Sequence, residues 1–182
     1  MGARGSFSEE AAQKYIEKAG IQDAHIQYLV SAENVLSSVE AGESDLGIFP
    51  IENSNGGVVI EAVYAMAKHR FEVITLFEID VHQNLLVAPG VNADQITAIT
   101  SHDQALKQCR MYLKRKWPGV ELETYADTAK AAEDLANGTL PNTTAVIASK
   151  KAAEVYGLEI LEESIQDLKF NYTSFVAAKR LD

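Results

Sequence analysis

Hydrophobic and polar positions alternate along the chain with two different periods. Apolar runs of strand length predict strands at about 26–30, 46–50, 72–81, 84–88, 96–100, 120–124, 144–148 and 172–178. Between them, apolar residues at helical spacing predict helices at about 8–19, 31–41, 57–68, 103–116, 128–137 and 149–156. This alternation predicts an α/β fold in which helices cover a mostly parallel sheet.

Local signals sharpen the ends of the predicted helices. Capping boxes are predicted at Ser6-x-x-Glu9 and Ser101-x-x-Gln104, single N-caps at Asp127 and Ser149, and helix-ending glycines at Gly42, Gly138 and Gly157. The first helix follows a glycine-rich turn that begins at Gly2, with no strand ahead of it. Since a strand ordinarily leads into such a turn in an α/β unit, one strand of the pattern is unaccounted for.

Composition narrows the class of protein. The 182 residues, 47% of them hydrophobic and 23% charged, suffice for one domain or two small lobes. A net charge of −10, with no basic run longer than residues 114–116, argues against nucleic acid or anionic membrane as a partner. The single cysteine, Cys109, excludes an internal disulfide and is typical of a reducing cytosol, so we expect a cytoplasmic protein. No signal peptide is recognised and no apolar run is long enough to span a bilayer.

The segment from Leu46 to Gly57 is the richest candidate site. An apolar strand ends at Pro50, and Glu52, Asn53 and Ser54 follow as an acceptor, an amide and a hydroxyl before two glycines. Open α/β sheets build ligand sites at such strand ends. The alternative interpretation is an ordinary strand-to-helix loop closed by an Asn-Gly turn.

Four further polar clusters occur at predicted turns or strand ends. Backbone amides around Ser6 and around Ser101-His102-Asp103-Gln104 form candidate anion sites at helix starts. Simple capping by Ser6 explains the first at least as well, and a single histidine at a helix start, as in the second, is more often structural. Capping also explains the cluster that contains Thr128. Asn171, Thr173 and Phe175 share one face of an extended segment, which suits a small cyclic ligand or, alternatively, a solvated edge strand.

Several chemistries lack their sequence signatures. The chain contains no Gly-x-Ser-x-Gly elbow, no P-loop, no dinucleotide fingerprint and no His/Cys spacing typical of a metal site. We therefore expect hydroxyl and amide groups, together with His102, to carry any chemistry, without a cofactor.

These clusters, in this order, resemble the prephenate dehydratase family over essentially the whole chain. The matching elements are Gly2 to Ser8, Pro50 to Ser54, Ser101 to Leu106 with Gln108-Cys109, Asp127 to Ala129, Ala152 to Leu158, and Asp167, Asn171, Thr173 and Phe175. The resemblance implies a decarboxylative dehydration of prephenate to phenylpyruvate for phenylalanine biosynthesis, by a hydro-lyase that uses no metal or cofactor.

The resemblance also implies an architecture and a set of site residues. We expect residues 1–182 to form a catalytic domain without a regulatory domain, as a two-lobed periplasmic-binding-protein-like α/β fold with its active site in the inter-lobe cleft. Lobe one is expected at about 1–78 plus 160–182, lobe two at about 79–159, and the assembly to be a homodimer or homotetramer. Thr173 is the expected catalytic residue, and the expected substrate-binding residues are Ser6, Phe7, Glu52, Asn53, Ser54, Ser101, His102, Gln104, Thr128, Asn171 and Phe175.

One departure from the family motif bears on function. Ser174 stands where the family has an arginine beside the catalytic threonine. We expect the loss of a charge-assisted partner for a substrate carboxylate, typically ~1.5–3 kcal/mol per bond, with Lys169 or Arg4 as replacements. Three alternatives stay open: a prephenate decarboxylase, an arogenate dehydratase, and a catalytically silent module that binds a small carboxylate.

Overall fold

The computed structural model describes residues 1–182, which divide into two compact units. The first unit comprises Met1–Ala3, Phe7–Val81 and Phe170–Asp182, and the second comprises Arg4–Ser6 and His82–Lys169. The sequence predicts a first lobe that ends near residue 78 and resumes near residue 160. In the structure residues 160–169 belong to the second unit, because a strand at 159–162 pairs in that unit's sheet.

Seven α-helices and nine β-strands make up the chain. The helices are α1 (Phe7–Ala19), α2 (Ala32–Ala41), α3 (Ile60–Lys68), α4 (Asp103–Gln108), α5 (Arg110–Lys116), α6 (Thr128–Ala136) and α7 (Lys150–Tyr156). The strands are β1 (Gly47–Asn53), β2 (Gly57–Val58), β3 (Phe71–Asp80), β4 (Asn84–Val87), β5 (Ala98–His102), β6 (Glu121–Tyr125), β7 (Thr144–Ala148), β8 (Glu159–Glu162) and β9 (Tyr172–Arg180). A short 3₁₀ helix at Ala93–Gln95 precedes β5.

The first unit is built on a four-stranded sheet in the order β2-β1-β9-β3, and all its pairs are antiparallel. On one face, Ala11 of α1 packs with Ile79 and Phe175. On the other face, residues of α2 and α3 pack with Phe49 and Val176. Both faces of β9 are therefore covered along most of its length.

The second unit is built on a five-stranded sheet in the order β6-β5-β7-β4-β8. Strand β5 pairs in parallel with β6 and β7, whereas β4 pairs antiparallel with β7 and β8. One core cluster packs α4 and α5 against this sheet, and a second packs α6 and α7 against it.

The prediction of a mostly parallel sheet is wrong. It assumed that each strand pairs with the next strand across a helix. Instead the chain leaves the first unit after β3 and returns with β9, which lies between β1 and β3 and runs against both. The parallel βαβ arrangement holds only for β5, β6 and β7.

Most predicted elements lie within a few residues of their predicted positions. Strands β2 and β8 are not among the predictions, and β2 occupies the start of the helix predicted at 57–68, which begins at Ile60. Two further predictions differ from the structure. The strand predicted at about 26–30 is reduced to a single bridge between Gly2 and Val30, where Val30 has a positive φ of 63°. The helix predicted at 103–116 is broken at Cys109, and the Asp167 carboxylate accepts the amide hydrogens of Met111 and Tyr112 at the start of α5. The N-caps at Asp127 and Ser149 and the glycine caps at Gly42 and Gly157 are confirmed.

The single cysteine is a core residue of the second unit. Cys109 is fully buried among Ile99, Leu113 and their neighbours. Burial raises the pKa of its thiol to about 12. None of the seven helices combines the length and the hydropathy that crossing a membrane requires.

A histidine between two carboxylates joins the helices on one face of the first sheet. The His69 ring contacts Glu40 through Nδ1 at 2.7 Å and Glu33 through Nε2 at 3.1 Å. The hydrogen bond to Glu40 raises the pKa of His69, and the hydrogen bonds from His69 lower the pKa of Glu33 and Glu40. Lys68 also contacts Glu33, and the Arg70 amide donates to Glu40.

These shifts predict a pH window for the stability of the first unit. A raised histidine pKa stabilises the fold below about pH 6.5 and loses this effect as the pH rises through the folded-state value. Lowered glutamate pKa values stabilise it above about pH 4.5 and lose this effect as the pH falls. We expect His69→Gln to lower Tm more at pH 5.5 than at pH 9, measured by thermal denaturation. His25→Gln, at an exposed position, is the control, and equal losses at the two pH values for His69→Gln would contradict the assignment.

Candidate active site

The side-chain amide of Asn53 is the centre of a hydrogen-bond network in the first unit. Its Oδ1 accepts the backbone N–H groups of Asn55 at 3.0 Å and Gly56 at 2.8 Å. Its Nδ2, which carries two hydrogens, lies within hydrogen-bond distance of three acceptors: Asn171 Oδ1 at 2.9 Å, Thr173 Oγ1 at 2.9 Å and the Tyr172 carbonyl at 3.1 Å. The two backbone donors fix which end of the amide is the oxygen, so the other end must be the donor to Thr173.

This orientation determines what the Thr173 hydroxyl does. A hydroxyl has one proton to donate and two lone pairs that accept. Because Asn53 donates to Thr173 Oγ1, the threonine proton remains available for a ligand oxygen. Thr173 is partly exposed, so a ligand can reach it. The pair therefore forms a preset hydrogen-bond donor.

Strand ends and a tight turn hold this donor in place. Asn53 ends β1, Thr173 is the second residue of β9, and the two are directly opposite in the antiparallel ladder. After Asn53 the chain turns, and Ser54 is tied to Tyr172 by both its amide and its hydroxyl, at 2.8 and 3.0 Å. The Asn55 side chain donates to the Phe170 carbonyl at 3.1 Å. The strand predicted to end at Pro50 continues to Asn53, and the polar turn that follows it is held against the start of β9.

Glu52 and Ser174 lie on the opposite face of the sheet from Thr173. In the ladder Ser174 is paired with Glu52 of β1 and with Glu78 of β3, whereas Thr173 is paired with Asn53 and Ile79. Directly opposed residues share a face, and the next residue along a strand points to the other face. The Ser174 hydroxyl donates to the Glu78 carboxylate at 3.3 Å. The structure therefore separates Glu52 from the Asn53–Thr173 pair.

The other two predicted residues of this segment, Phe175 in β9 and Asn171 directly before the strand, are buried. Phe175 is 1% exposed and stacks on Phe77, with ring centroids 5.8 Å apart. Asn171 is fully buried, and its carbonyl accepts the Val81 amide at 2.6 Å. The prediction that Asn171, Thr173 and Phe175 share a face agrees with the strand geometry, but Phe175 is a core residue.

In the second unit, Ser101, His102 and Gln104 lie at the junction of β5 and α4. Ser101 is fully buried and its hydroxyl donates to the Ile147 carbonyl at 2.6 Å. The N-cap is His102 instead, whose Nδ1 accepts the Gln104 amide at 3.2 Å. The capping box predicted at Ser101 is wrong, because its hydroxyl is bonded to the neighbouring strand. His102 is exposed and Gln104 partly exposed.

Ser6, Phe7 and Thr128 also lie at helix starts. Ser6 is buried, in a turn whose Gly5 carbonyl accepts the Ser149 hydroxyl at 2.7 Å. Phe7 begins α1 and packs partly buried in the core of the first unit. Thr128 is the partly buried first residue of α6, directly after the Asp127 cap. Of the replacements expected for the family arginine, Arg4 and Lys169 are both exposed residues of the second unit.

Sequence reasoning named Asn53 and Thr173 but missed the direction of the bond between them. That direction depends on the turn amides of Asn55 and Gly56, which a sequence presents only as an Asn-Gly turn signal. No three His, Cys, Asp or Glu side chains converge as a metal site.

Comparison with known proteins identifies the family of this fold and site. The family model for prephenate dehydratase matches residues 1–181. An arogenate dehydratase/prephenate dehydratase of Arabidopsis thaliana is 37% identical over 99% of the chain and 42% of its own length. A prephenate dehydratase of Methanocaldococcus jannaschii is 34% identical over 95% of the chain and 61% of its own length.

A solved structure agrees with these sequence matches. The prephenate dehydratase of Arthrobacter aurescens, solved in complex with L-Phe, superposes with a TM-score of 0.90 at 29% identity, over 100% of this chain and 59% of that one. The chain thus spans between 42% and 61% of the length of the two curated relatives. By its sequence and by its fold, this chain belongs to the prephenate dehydratase family.

Proposed function

We propose that this chain catalyses the decarboxylative dehydration of prephenate to phenylpyruvate, a step of L-phenylalanine biosynthesis. The observation that carries the proposal is the hydrogen bond from Asn53 Nδ2 to Thr173 Oγ1, which leaves the threonine proton available to a leaving hydroxyl. Membership of the family supplies the substrate class.

The reaction requires little acid assistance. As the bond between the ring and its carboxylate breaks, carbon dioxide leaves and the electron pair enters the ring. The ring becomes aromatic as the carbon–oxygen bond to the hydroxyl breaks. A threonine hydroxyl is too weak an acid to protonate the leaving oxygen outright, so Thr173 acts by a positioned hydrogen bond while charge develops there. The departing hydroxide takes its proton from water.

Asn53 serves as the positioning residue for this step. By donating to Thr173 Oγ1 it disfavours rotamers in which the threonine proton points back into the loop. A hydroxyl that accepts one hydrogen bond is also a better donor of the next, because chains of hydrogen bonds polarise one another.

An arogenate dehydratase is the second candidate. The observation in its favour is the Arabidopsis thaliana relative, which is named both an arogenate dehydratase and a prephenate dehydratase. Arogenate has an amino group where prephenate has the side-chain keto group. Values of kcat/KM for the two substrates, measured side by side, distinguish the candidates. Assembly as a homodimer or homotetramer and a cytoplasmic location stay predictions.

The test of the proposed function is turnover of prephenate by the purified chain, followed as phenylpyruvate absorbance in strong base. We expect Thr173→Val to lower kcat by about 10²–10³, the usual loss for one donor to a developing oxyanion. Thr173→Ser keeps the hydroxyl and is expected within about tenfold of the parent chain. Thr75→Val removes an exposed hydroxyl from the same sheet and is the matched control.

Two outcomes would contradict the proposal. Wild-type kcat in Thr173→Val would remove Thr173 from the chemistry. Intact prephenate, or a non-aromatic keto acid as the product, would point instead to the binding module or the decarboxylase.

The position of Ser174 leads to a separate prediction. Since its side chain lies with Glu52 and Glu78 on the face opposite Thr173, an arginine there pairs with these carboxylates instead of a substrate bound at Thr173. Exposed pairs of this kind stabilise little, so we expect Ser174→Arg to raise Tm by about 1–3 °C, less in 1 M salt. The KM for prephenate is expected to stay within about twofold. Ser174→Gln is the uncharged control, and a tenfold fall in KM without a change in Tm would restore the substrate-binding interpretation.

A further inference from the structure

The chain contains two Asn-Gly sequences, one in each unit. Asn55-Gly56 lies in the turn of the candidate active site, and Asn137-Gly138 follows α6 in the second unit. An asparagine that precedes glycine loses its side-chain amide readily, because glycine has no side chain to keep its backbone nitrogen away from the amide carbon. The same reaction therefore has two possible positions, which differ in their surroundings.

The surroundings of Asn55 oppose the reaction. The Gly56 N–H donates to Asn53 Oδ1 at 2.8 Å and to the Asn53 carbonyl at 3.2 Å. Removal of its proton would leave a negative nitrogen facing two oxygens, which repel it. The Asn55 Nδ2 also donates to the Phe170 carbonyl at 3.1 Å, and loss of this nitrogen as ammonia would break that bond. The contacts of the active-site turn thus protect Asn55.

The surroundings of Asn137 favour the reaction. Its side-chain Oδ1 accepts two hydrogen bonds from Thr139, one from the backbone amide at 3.0 Å and one from the hydroxyl at 2.6 Å. When the Gly138 nitrogen attacks the Asn137 side-chain carbon, negative charge develops on this oxygen. Two donors that already point at it stabilise that charge, as the donors of an oxyanion hole do.

The Gly138 nitrogen is also accessible. Its N–H donates only to the Leu135 carbonyl, at 3.3 Å. No atom lies within 4 Å of the position that a Cβ of Gly138 would take, so a new ring has room to form there. Residues 137–139 are all exposed, and water and hydroxide therefore reach them.

We propose that Asn137 is a site of spontaneous deamidation, which converts it to aspartate and isoaspartate, whereas Asn55 is retained in the folded chain. Hydroxide removes the proton of the Gly138 N–H, and this nitrogen forms a bond to the Asn137 side-chain carbon. The bond from that carbon to Nδ2 breaks, and the nitrogen takes a proton from water and leaves as ammonia. Water then opens the five-membered succinimide at either of its carbonyls. This modification is independent of the proposed function.

The conversion places a new charge beside a buried carboxylate. The Asn137 Nδ2 donates to Asp134 Oδ1 at 3.3 Å, and Asp134 is 6% exposed. A carboxylate at position 137 cannot donate this bond and repels Asp134. Lys130, which lies 2.9 Å from Asp134 Oδ1, offsets only part of this repulsion. We expect the converted chain, separated by ion exchange, to have a Tm about 2 to 4 °C below that of the parent chain.

The test is incubation of the full chain at mildly alkaline pH, followed by peptide mass mapping and by enzymatic methylation of isoaspartate. In the folded chain we expect Asn137 to convert at least about tenfold faster than Asn55. In guanidinium chloride we expect similar rates at the two positions, since both are Asn-Gly sequences and only the fold distinguishes them. Conversion of Asn55 as fast as Asn137 in the folded chain would overturn the proposal.

Variants of Thr139 provide the second arm of the test. Thr139→Val removes the hydroxyl donor and is expected to slow conversion of Asn137 by about three- to tenfold, a modest factor because the position is open to water. Thr139→Ser keeps the hydroxyl and is the matched control, expected within about twofold of the parent rate. An unchanged rate in Thr139→Val would contradict the role of the two donors. If Thr139→Val fails to fold, the comparison of Asn137 with Asn55 in the folded parent chain decides alone.

Discussion

The candidate site depends on one side-chain amide that is bonded at both ends. The side-chain oxygen of Asn53 accepts hydrogen bonds from two backbone amides of the turn, and its side-chain nitrogen donates to residues at the start of β9, including Thr173. The backbone amides of the turn set the orientation of the Asn53 side-chain amide. This amide in turn orients the Thr173 hydroxyl, whose proton is left for a ligand. A half-buried network of this kind is strong only when its members are satisfied, and here the partners of Asn53 come from the loop that follows it and from residues 171–173.

The position of that amide follows from the path of the chain. Strand β9 returns from the second unit and enters between β1 and β3, which brings Asn53 and Thr173 together although 120 residues separate them. The same pairing places Glu52 and Ser174 on the other face. Thr173 and Ser174 are neighbours in β9, yet Thr173 can orient a leaving group, whereas Ser174 pairs with surface carboxylates on the opposite face. On this geometry we expect the serine that replaces the family arginine to contribute little to substrate binding.

The sequence was sufficient to predict which residues belong to the candidate site, but not how they are arranged in space. Local signals such as the Asp127 cap and the Gly42 turn act over a few residues and are confirmed. The insertion of β9, the burial of Phe175 and the use of the Ser101 hydroxyl by Ile147 depend on contacts between distant segments, which a pattern along the chain does not contain.

The most direct measurement of the central claim is the pH dependence of kcat for prephenate in Asn53→Asp. The introduced carboxylate still accepts the turn amides but no longer donates to Thr173, so the threonine proton turns toward it and away from the substrate. We expect kcat to fall by about 10² at pH 8, and to recover in part as the pH falls toward about 4, where the carboxyl is protonated and donates again. Asn55→Asp, on the same loop, is the control. A kcat within twofold of the parent chain across this range would contradict the claim that Asn53 directs the Thr173 hydroxyl.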